Sequence, residues 1–309
     1  MLGFNGGLIG KNNPTVAGTS IPGVWTSREQ EVAVRNAKWS NAGLLDLYSG
    51  ASAAFSLRSL RGATINTRVV EVRRSSGSPS TADFTAEEVA NGTLAAWVGA
   101  GNNGFVRTWY DQSGNGNDAT QTTDGEQPRI VVSGQLERDP ADTGRPTIRF
   151  GVVASSLVTP DITVASHCAI FAVTKHTNPT SSWSFFFGQK SSNRFYVGKA
   201  ANGSGSPAYH GTFAGGSFFD LTGTDATVKA VSYWQQGSGI SQYRINNGAV
   251  GSLTDGSKSS VGFSLGRPAS ENTSDIWYGP IQEFIYYPSS QVSTFANIMT
   301  NINEYYSIY

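Results

Sequence analysis

The stretch that decides the fold reads Trp109-Tyr110-Asp111-Gln112-Ser113-Gly114-Asn115-Gly116-Asn117-Asp118. Two aromatic residues end a strand-like run, and a dense group of Asp, Asn, Ser and Gly follows them. Asp and Asn side chains bond nearby backbone N–H groups in turns, and Gly supplies a positive φ. The pattern therefore predicts a β-strand that ends in a self-bonded turn.

The same turn has an alternative interpretation as an ion site. Asp111, Ser113 and Asn115 place oxygen-bearing side chains at alternate positions, and Gly116 follows, as in the opening of a calcium loop. Thr122 stands where such a loop carries a bidentate Glu, and no helix leads in. We therefore expect neither a metal nor a cofactor, and the three oxygen-bearing residues are the candidates if calcium binds.

On both sides of this turn, short strand-like runs alternate with turns rich in Gly, Asn, Ser, Asp and Pro. No long helical pattern alternates with the strands, which argues against a parallel α/β sheet. We predict an all-β fold, a jelly-roll sandwich over residues 44–309 that ends in a C-terminal helix. The apolar face of that helix recurs every three or four residues and comprises Val292, Phe295, Ile298, Ile302 and Tyr305.

Composition excludes several classes of protein. The chain of 309 residues has 22 basic and 22 acidic side chains, and only 14% of its residues are charged. A neutral chain is not a basic nucleic-acid binder. No apolar run approaches the roughly 18 residues of a membrane span, and no signal peptide is evident. We expect neither nucleic acid nor membrane as a partner, and the single Cys168 excludes an intrachain disulfide.

Residues 1–43 differ from the rest because Gly and Pro punctuate them too densely for a core. A floppy terminus is one interpretation. The alternative is an extended N-terminal arm that orders against a larger particle, since two Trp are not expected in a merely disordered tail. On this interpretation the docking residues are Phe4, Leu8, Ile9, Val24, Trp25 and Trp39.

Aromatic residues in strands or beside polar loops are candidates for stacking on sugar rings. Core filling is the alternative role for each of them. The candidates for glycan contact are Trp183, Tyr196, Tyr209, Trp234, Tyr243 and Trp277.

A resemblance covers residues 44–309. The motifs that carry it include Leu47-Tyr48-Ser49-Gly50, Val70-Glu71-Val72-Arg73-Arg74, Gly104-Phe105-Val106 through Asp118, and Gln127-Pro128-Arg129-Ile130-Val131. In this order they resemble the catalytic-domain family of α-L-arabinofuranosidase B. The resemblance implies a concanavalin-A-like jelly roll, which is a lectin-like fold.

The resemblance also implies retaining hydrolysis by two carboxylates about 5–5.5 Å apart. It places the nucleophile in residues 193–198, which contain no acid, and the proton donor directly after Gly266, where Arg267 stands. Glu271 and Asp275 are nearby but displaced. The vicinal cysteine pair of the family is also absent. We therefore predict no catalytic residue and no enzymatic activity, with the fold kept and the reaction lost.

The arm resembles something else. Gly6-Gly7-Leu8-Ile9-Gly10 and Gly23-Val24-Trp25-Thr26 are similar to the opening of structural proteins of tailed-bacteriophage virions. We predict a virion protein, assembled in the host cytoplasm, that is an appendage, decoration or fibre subunit of head or tail. Its partners would be virion proteins, further copies of itself and host-surface glycans. The alternatives are an arabinofuranosidase-like retaining glycoside hydrolase and a carbohydrate-binding module.

Overall fold

The computed structural model describes residues 15–16, 19–20, 42–62, 67–139, 144–165, 167–177, 183–190, 196–201, 207–212, 221–222, 229–236, 240–254, 260–269 and 275–309. Antiparallel strands are the main regular secondary structure of these residues. The prediction of an all-β jelly-roll sandwich with a C-terminal helix is confirmed.

The described residues contain 23 strands. Those of the first half are β1 (Thr15–Val16), β2 (Thr19–Ser20), β3 (Ala53–Ser56), β4 (Arg68–Arg74), β5 (Thr81–Thr85), β6 (Gly104–Trp109), β7 (Ala119–Thr120), β8 (Arg129–Val132), β9 (Gln135–Leu136), β10 (Ile148–Phe150), β11 (Leu157–Val158) and β12 (Thr163–Val164). Those of the second half are β13 (His167–Thr174), β14 (Trp183–Gln189), β15 (Tyr196–Ala201), β16 (Pro207–Thr212), β17 (Leu221–Thr222), β18 (Lys229–Gln236), β19 (Ile240–Ile245), β20 (Gly251–Thr254), β21 (Ser260–Val261), β22 (Phe263–Leu265) and β23 (Gly279–Tyr287).

The described helices are short except for the last. They are α1 (Leu44–Leu47), α2 (Ala86–Ala90), α3 (Thr93–Val98), a 3₁₀ turn (Asp124–Glu126) and α4 (Phe295–Tyr306). None of the described helices is long and apolar enough to cross a membrane. In α4, Ile298, Met299, Ile302 and Tyr306 are buried, whereas Val292 precedes the helix and is 45% exposed.

Two layers are built around β23 and β14. One edge of β23 pairs with β13, and the other pairs with β3 and β10. In the second layer β14 pairs with β15 and β22, and β22 pairs with β11. The two layers belong to one curled sheet, because β6 pairs with both β8 and β7. Strand β8 pairs with β10 of the first layer, and β7 pairs with β11 of the second.

Aromatic rings from the two layers meet in the core. Phe284 of β23 stacks on Phe187 of β14, with ring centroids 5.7 Å apart. Phe263 of β22 lies 5.3 Å from Phe284 and 6.4 Å from Phe55 of β3. These contacts across the sheets show that the layers face each other as a sandwich.

A second apolar cluster lies on the outer face of β13 and β23. Alternate residues of these strands face the inner core and the cover of α4, so both faces are buried. Phe171 and Tyr287 belong to this outer cluster with Ile298 and Ile302 of α4. An antiparallel strand buried on both faces loses the apolar–polar alternation, and all nine residues of β23 are buried.

The turn after β6 binds the free edge of β3 with side chains. Asp111 Oδ1 accepts hydrogen bonds from the backbone N–H of Ala54 and of Ser113, both at 2.8 Å. Asp111 Oδ2 accepts from Ser113 Oγ at 2.6 Å and from Asn117 N at 3.0 Å. Both oxygens of the Asp111 carboxylate thus accept hydrogen bonds from the turn or from β3. The turn after β6 is the self-bonded turn that the sequence predicts.

Gln112 continues the same edge. Its backbone N–H donates to Ala54 O at 2.8 Å, and its Nε2 donates to Ser56 O at 2.9 Å and Arg58 O at 3.0 Å. Its Oε1 accepts from Leu60 N at 2.7 Å. A bare strand edge exposes unpaired N–H and C=O groups. Asp111 and Gln112 therefore take the place of a neighbouring strand beside β3.

A buried ion pair lies between β3, β23 and α4. Arg58 Nε and Nη2 bond the two Glu283 oxygens at 2.7 and 2.9 Å, and the Glu283 side chain is fully buried. Ser56 Oγ donates to Glu283 Oε2 at 2.8 Å, and Tyr306 OH lies 3.3 Å from it. Burial acts to lower the pKa of Arg58, but the Glu283 carboxylate outweighs burial and raises it.

We predict that Asp111→Ala lowers the free energy of unfolding by about 3 kcal/mol, because it strands the buried Ala54 N–H and three donors of the turn. Urea unfolding measures the change. Asp161→Ala is the matched control, since that carboxylate is 69% exposed. Equal losses in the two variants would contradict the role of the turn.

We predict that Arg58→Met costs about 3–5 kcal/mol, because it leaves Glu283 buried and unpaired. The double variant Arg58→Met/Glu283→Leu should recover most of this loss, since replacing both charges removes the unpaired one. Arg68→Met breaks the exposed pair with Asp83 and should cost less than about 1 kcal/mol. Thermal and urea unfolding compare the three variants, and an Arg58→Met loss no larger than that of Arg68→Met would refute the prediction.

Candidate functional site

The connection between β22 and β23 is the centre of the candidate site. This β22–β23 loop is described at residues 266–269 and 275–278. Gly266 has φ +88°, and a Cβ there would overlap the ring of Phe150. Gly266 N donates to Phe186 O at 3.1 Å, and Trp277 N donates to Gly266 O at 2.7 Å. A glycine is therefore required where the loop leaves the sheet.

The far side of the loop carries a half-buried carboxyl group. Asp275 O accepts a backbone hydrogen bond from Phe185 N of β14 at 3.4 Å. Burial raises the pKa of the Asp275 carboxyl. A carboxyl group with a raised pKa keeps its proton closer to neutral pH, which is the property of a general acid.

A buried histidine lies under this side of the loop. His176 Nε2 is 2.9 Å from Ser184 Oγ, and Ser184 Oγ donates to Ile276 O at 2.6 Å. The His176 ring packs edge-on against Trp277, with centroids 4.8 Å apart. Ser184 is fully buried and His176 is 6% exposed, so this pair supports the loop and presents no nucleophile to a substrate.

Arg267 lies on the near side of the loop. It forms a group of polar contacts with Gln121, Glu126 and Ser156, and these four residues are the Arg267 cluster. Arg267 Nη2 donates to Glu126 Oε2 at 2.6 Å, and Arg267 Nε lies 3.4 Å from Ser156 Oγ. Gln121 Nε2 donates to the same Glu126 oxygen at 3.1 Å. The Arg267 and Glu126 side chains are 15% and 38% exposed, so the pair lies at the surface.

A further set of contacts fixes the 3₁₀ turn that carries Glu126. Gln127 Nε2 donates to Gln121 O at 2.9 Å, and Arg73 Nε donates to Gln127 Oε1 at 2.8 Å. Arg73 also pairs with Asp124 at 3.1 Å. The turn that carries Glu126 is therefore held from β4, whereas the Glu126 carboxylate itself bonds Gln121 and Arg267.

The predicted docking arm lies almost wholly outside the described residues. Of residues 1–41 the structure describes only β1 and β2, which pair with each other as antiparallel strands. The docking of the arm and its partners stay predictions. The docking residues that lie outside the described part are Phe4, Leu8, Ile9, Val24, Trp25 and Trp39.

The aromatic candidates for glycan contact divide by burial. Trp277 is fully buried against Phe186, with ring centroids 5.4 Å apart, so its ring faces the core and the predicted stacking on a sugar does not fit. Tyr243 is partly buried and packs at the edge of the core. The remaining four lie in strands, and their side chains are outside the described part: Trp183, Tyr196, Tyr209 and Trp234.

The side chains of the candidate calcium loop are engaged in hydrogen bonds within the turn and to the chain before β3. Ser113 Oγ donates to Asp111 Oδ2, and Asn115 Nδ2 donates to Ala51 O at 3.0 Å. Within the part of the chain that the structure describes, no group of three His, Cys, Asp or Glu side chains is placed to hold a metal ion.

The Arg267 cluster was not predicted from the sequence. Glu126 and Arg267 are 141 positions apart, and the intervening chain crosses between the two layers. Gln127 belongs to one of the motifs that carry the sequence resemblance, but that motif alone does not show which residues pack beside it. Of the two displaced acids, Asp275 lies on the same loop as Arg267, and Glu271 lies outside the described residues.

Comparison with known proteins identifies the fold. No protein-family model and no curated protein matches this chain. An arabinofuranosidase solved with arabinofuranosyl-α-1,2-xylobiose matches at 16% identity with a TM-score of 0.59, over 85% of this chain and 65% of that one. A GH54 α-L-arabinofuranosidase soaked with a cyclic sulfate inhibitor matches at 15% identity and TM-score 0.59, over 85% of this chain and 64% of that one.

A GH54 mutant soaked with 4-nitrophenyl α-L-arabinofuranoside also matches, with 16% identity, a TM-score of 0.56, and coverage of 85% of this chain and 64% of that one. The chain thus spans just under two thirds of the length of these enzymes. The predicted jelly roll of the arabinofuranosidase type is confirmed at the level of the fold. None of the three is a virion protein, and the resemblance of the arm stays a prediction.

These matches contradict the prediction that the chain is not an enzyme, because the structures that share its fold over 85% of its length are glycoside hydrolases. The prediction was wrong because it required the carboxylates at the two places that the resemblance gave, residues 193–198 and the position directly after Gly266. The fold is the one that these three arabinofuranosidases have.

We predict that Gly266→Ala destabilises the protein by about 2 kcal/mol or more, because the residue has a positive φ and its Cβ would overlap Phe150. Gly125→Ala in the 3₁₀ turn is the matched control, since a Cβ there meets nothing within 4 Å. Urea unfolding compares the two variants. A Gly266→Ala protein as stable as Gly125→Ala would show that the loop does not need this glycine.

Proposed function

We propose that this protein is a glycoside hydrolase that removes α-L-arabinofuranosyl groups. The observation that carries the proposal is the agreement of its fold with arabinofuranosidases over 85% of the chain at a TM-score of 0.59. The β22–β23 loop adds a local argument, since the resemblance in sequence places the proton donor of the family at this loop. Asp275 is the described carboxyl group on it.

Asp275 suits the role of general acid. Glycoside hydrolysis needs a protonated carboxylic acid that donates to the leaving-group oxygen. Burial raises the pKa of Asp275, which favours the protonated form that this step consumes. Arg267 is always charged and cannot supply the proton, although it directly follows Gly266. The proton donor would therefore be Asp275, further along the loop than the position of Arg267, where the resemblance places the donor of the family.

The second carboxylate comes from the same loop in this proposal. Glu271 is the acid that the sequence places between Arg267 and Asp275. A retaining reaction uses the second carboxylate as nucleophile on the opposite side of the anomeric carbon.

We predict that the protein releases 4-nitrophenol from 4-nitrophenyl α-L-arabinofuranoside and that Asp275→Asn lowers kcat by about 10²–10⁴-fold, because the amide cannot donate the proton in the same way. Glu271→Gln should lower turnover comparably. Asp161→Asn, at a 69% exposed carboxylate outside the loop, should leave turnover unchanged. No release by the unaltered protein, or full activity in Asp275→Asn, would refute the proposal.

The pH profile gives an independent readout of the same role. The protonated form of Asp275 is the donor, and burial raises its pKa. Turnover should therefore persist to higher pH than an exposed aspartate allows, and should fall as pH rises through the raised pKa. The residual activity of Asp275→Asn should lack this alkaline fall. An identical fall in both proteins would assign it to another group.

A further inference from the structure

The Arg267 cluster leaves one donor and one acceptor open at the surface. Its ion pair uses Arg267 Nη2 and Glu126 Oε2, and Arg267 Nε lies 3.4 Å from Ser156 Oγ. Gln121 Nε2 also bonds Glu126 Oε2. Among the described residues, Arg267 Nη1 and Glu126 Oε1 have no hydrogen-bond partner.

The buried pair of the fold shows how different this arrangement is. Both Glu283 oxygens bond Arg58, and the carboxylate is fully buried. Glu126, by contrast, engages its partner through one oxygen and remains 38% exposed. An ion pair that only stabilised the fold would gain from a bidentate contact. The open geometry at Arg267 leaves polar atoms available to a ligand.

An apolar surface adjoins these atoms along the chain. Val152 and Val153 are 46% and 41% exposed, and they precede Ser156 of the cluster. Their turn is fixed at both ends, because Gly151 N donates to Ser155 Oγ at 3.1 Å and Ser156 N donates to Glu126 O at 3.1 Å. The turn thus carries two exposed apolar side chains three and four residues before Ser156, where the chain joins the cluster.

We propose that Arg267 and Glu126 form a sugar subsite that binds two adjacent hydroxyl groups of a neutral saccharide, with Val152 and Val153 against its C–H face. One hydroxyl donates to Glu126 Oε1, and its neighbour accepts from Arg267 Nη1. Few convergent polar groups beside apolar walls are the usual composition of a small-ligand site. The inference rests on the proposed function, because the β22–β23 loop carries both Arg267 and Asp275.

The charge of the cluster selects a neutral ligand. The pair has one positive and one negative group, so a sugar that brings no charge leaves the ion pair intact. A uronate would have to compete with Glu126 for Arg267 and would be repelled by the displaced carboxylate. The adjacent hydroxyls belong either to the arabinofuranosyl group or to the pyranose to which it is attached, and both sources have the same hydrogen-bonding chemistry.

Binding experiments on the full chain test the subsite without relying on turnover. Methyl α-L-arabinofuranoside and methyl β-D-xylopyranoside are titrated separately by calorimetry, which distinguishes the two sources of hydroxyls. We expect Arg267→Gln and Glu126→Gln each to weaken binding of the preferred probe about tenfold or more, since each removes a hydrogen bond to a charged group. Lys190→Gln, which breaks an exposed ion pair elsewhere, should leave the Kd unchanged.

The proposed contact of the valine side chains with the sugar is tested by a matched pair of variants. Val153→Ser should weaken binding by several-fold, whereas Val250→Ser, at a valine 43% exposed in another turn, should have no effect. Urea midpoints equal to that of the unaltered protein establish that each variant is folded. With the aryl arabinofuranoside, Arg267→Gln should raise KM more than it lowers kcat, in contrast to Asp275→Asn.

The outcomes separate this inference from the proposed function. If the unaltered protein binds neither probe, or if both Arg267→Gln and Glu126→Gln bind as it does, the subsite is refuted. If binding depends on Arg267 and Glu126 but the unaltered protein releases no 4-nitrophenol, the subsite stands and the hydrolase proposal falls. If Asp275→Asn abolishes turnover while Arg267→Gln changes neither Kd nor KM, the hydrolase stands and the subsite falls.

Discussion

The Asp111 carboxylate is the interaction on which the arrangement of strands depends. It bonds the Ala54 N–H of β3 and three donors of its own turn, and Gln112 extends the contact to Ser56 and beyond. One edge of β3 pairs with β23, and these side chains occupy the other. The turn thereby completes the hydrogen bonding of a buried strand whose Ala53–Ser56 backbone has no other strand beside it among the described residues.

A second constraint follows from the first, because β3 also holds one end of the buried charge network. Ser56 and Arg58 contact Glu283, and Tyr306 of α4 closes the group. Burying a carboxylate is favourable only when the geometry satisfies it. The helix is thus fixed both by its apolar face on β13 and β23 and by a specific polar contact, which determines its register on the sheet.

Turns and helix ends could be predicted from the sequence where they depend on residues that are close along the chain. The turn after β6 follows from residues within a few positions of each other, since Asp111 bonds Ser113 and Asn117. The helix α2 was missed, although Thr85 and Glu88 form a capping box with Glu88 N 3.2 Å from Thr85 Oγ1. Burial of Trp277 could not be predicted, because its partner His176 lies in the segment after β13, which is about 100 positions away along the chain.

The candidate site was harder to predict than the fold for a physical reason. A sheet requires apolar residues at regular spacing, and many residues satisfy this requirement, so the fold survives at 16% identity. A site requires particular atoms at particular distances, and the loops that carry them tolerate change. Arg267 stands directly after the glycine that the core requires, whereas Asp275 is reached by following the loop to its return beside Phe185. The constraint on Gly266 fixes where the loop begins and leaves the position of the acid along it free to differ, so a missing acid at one position does not exclude an acid from the site.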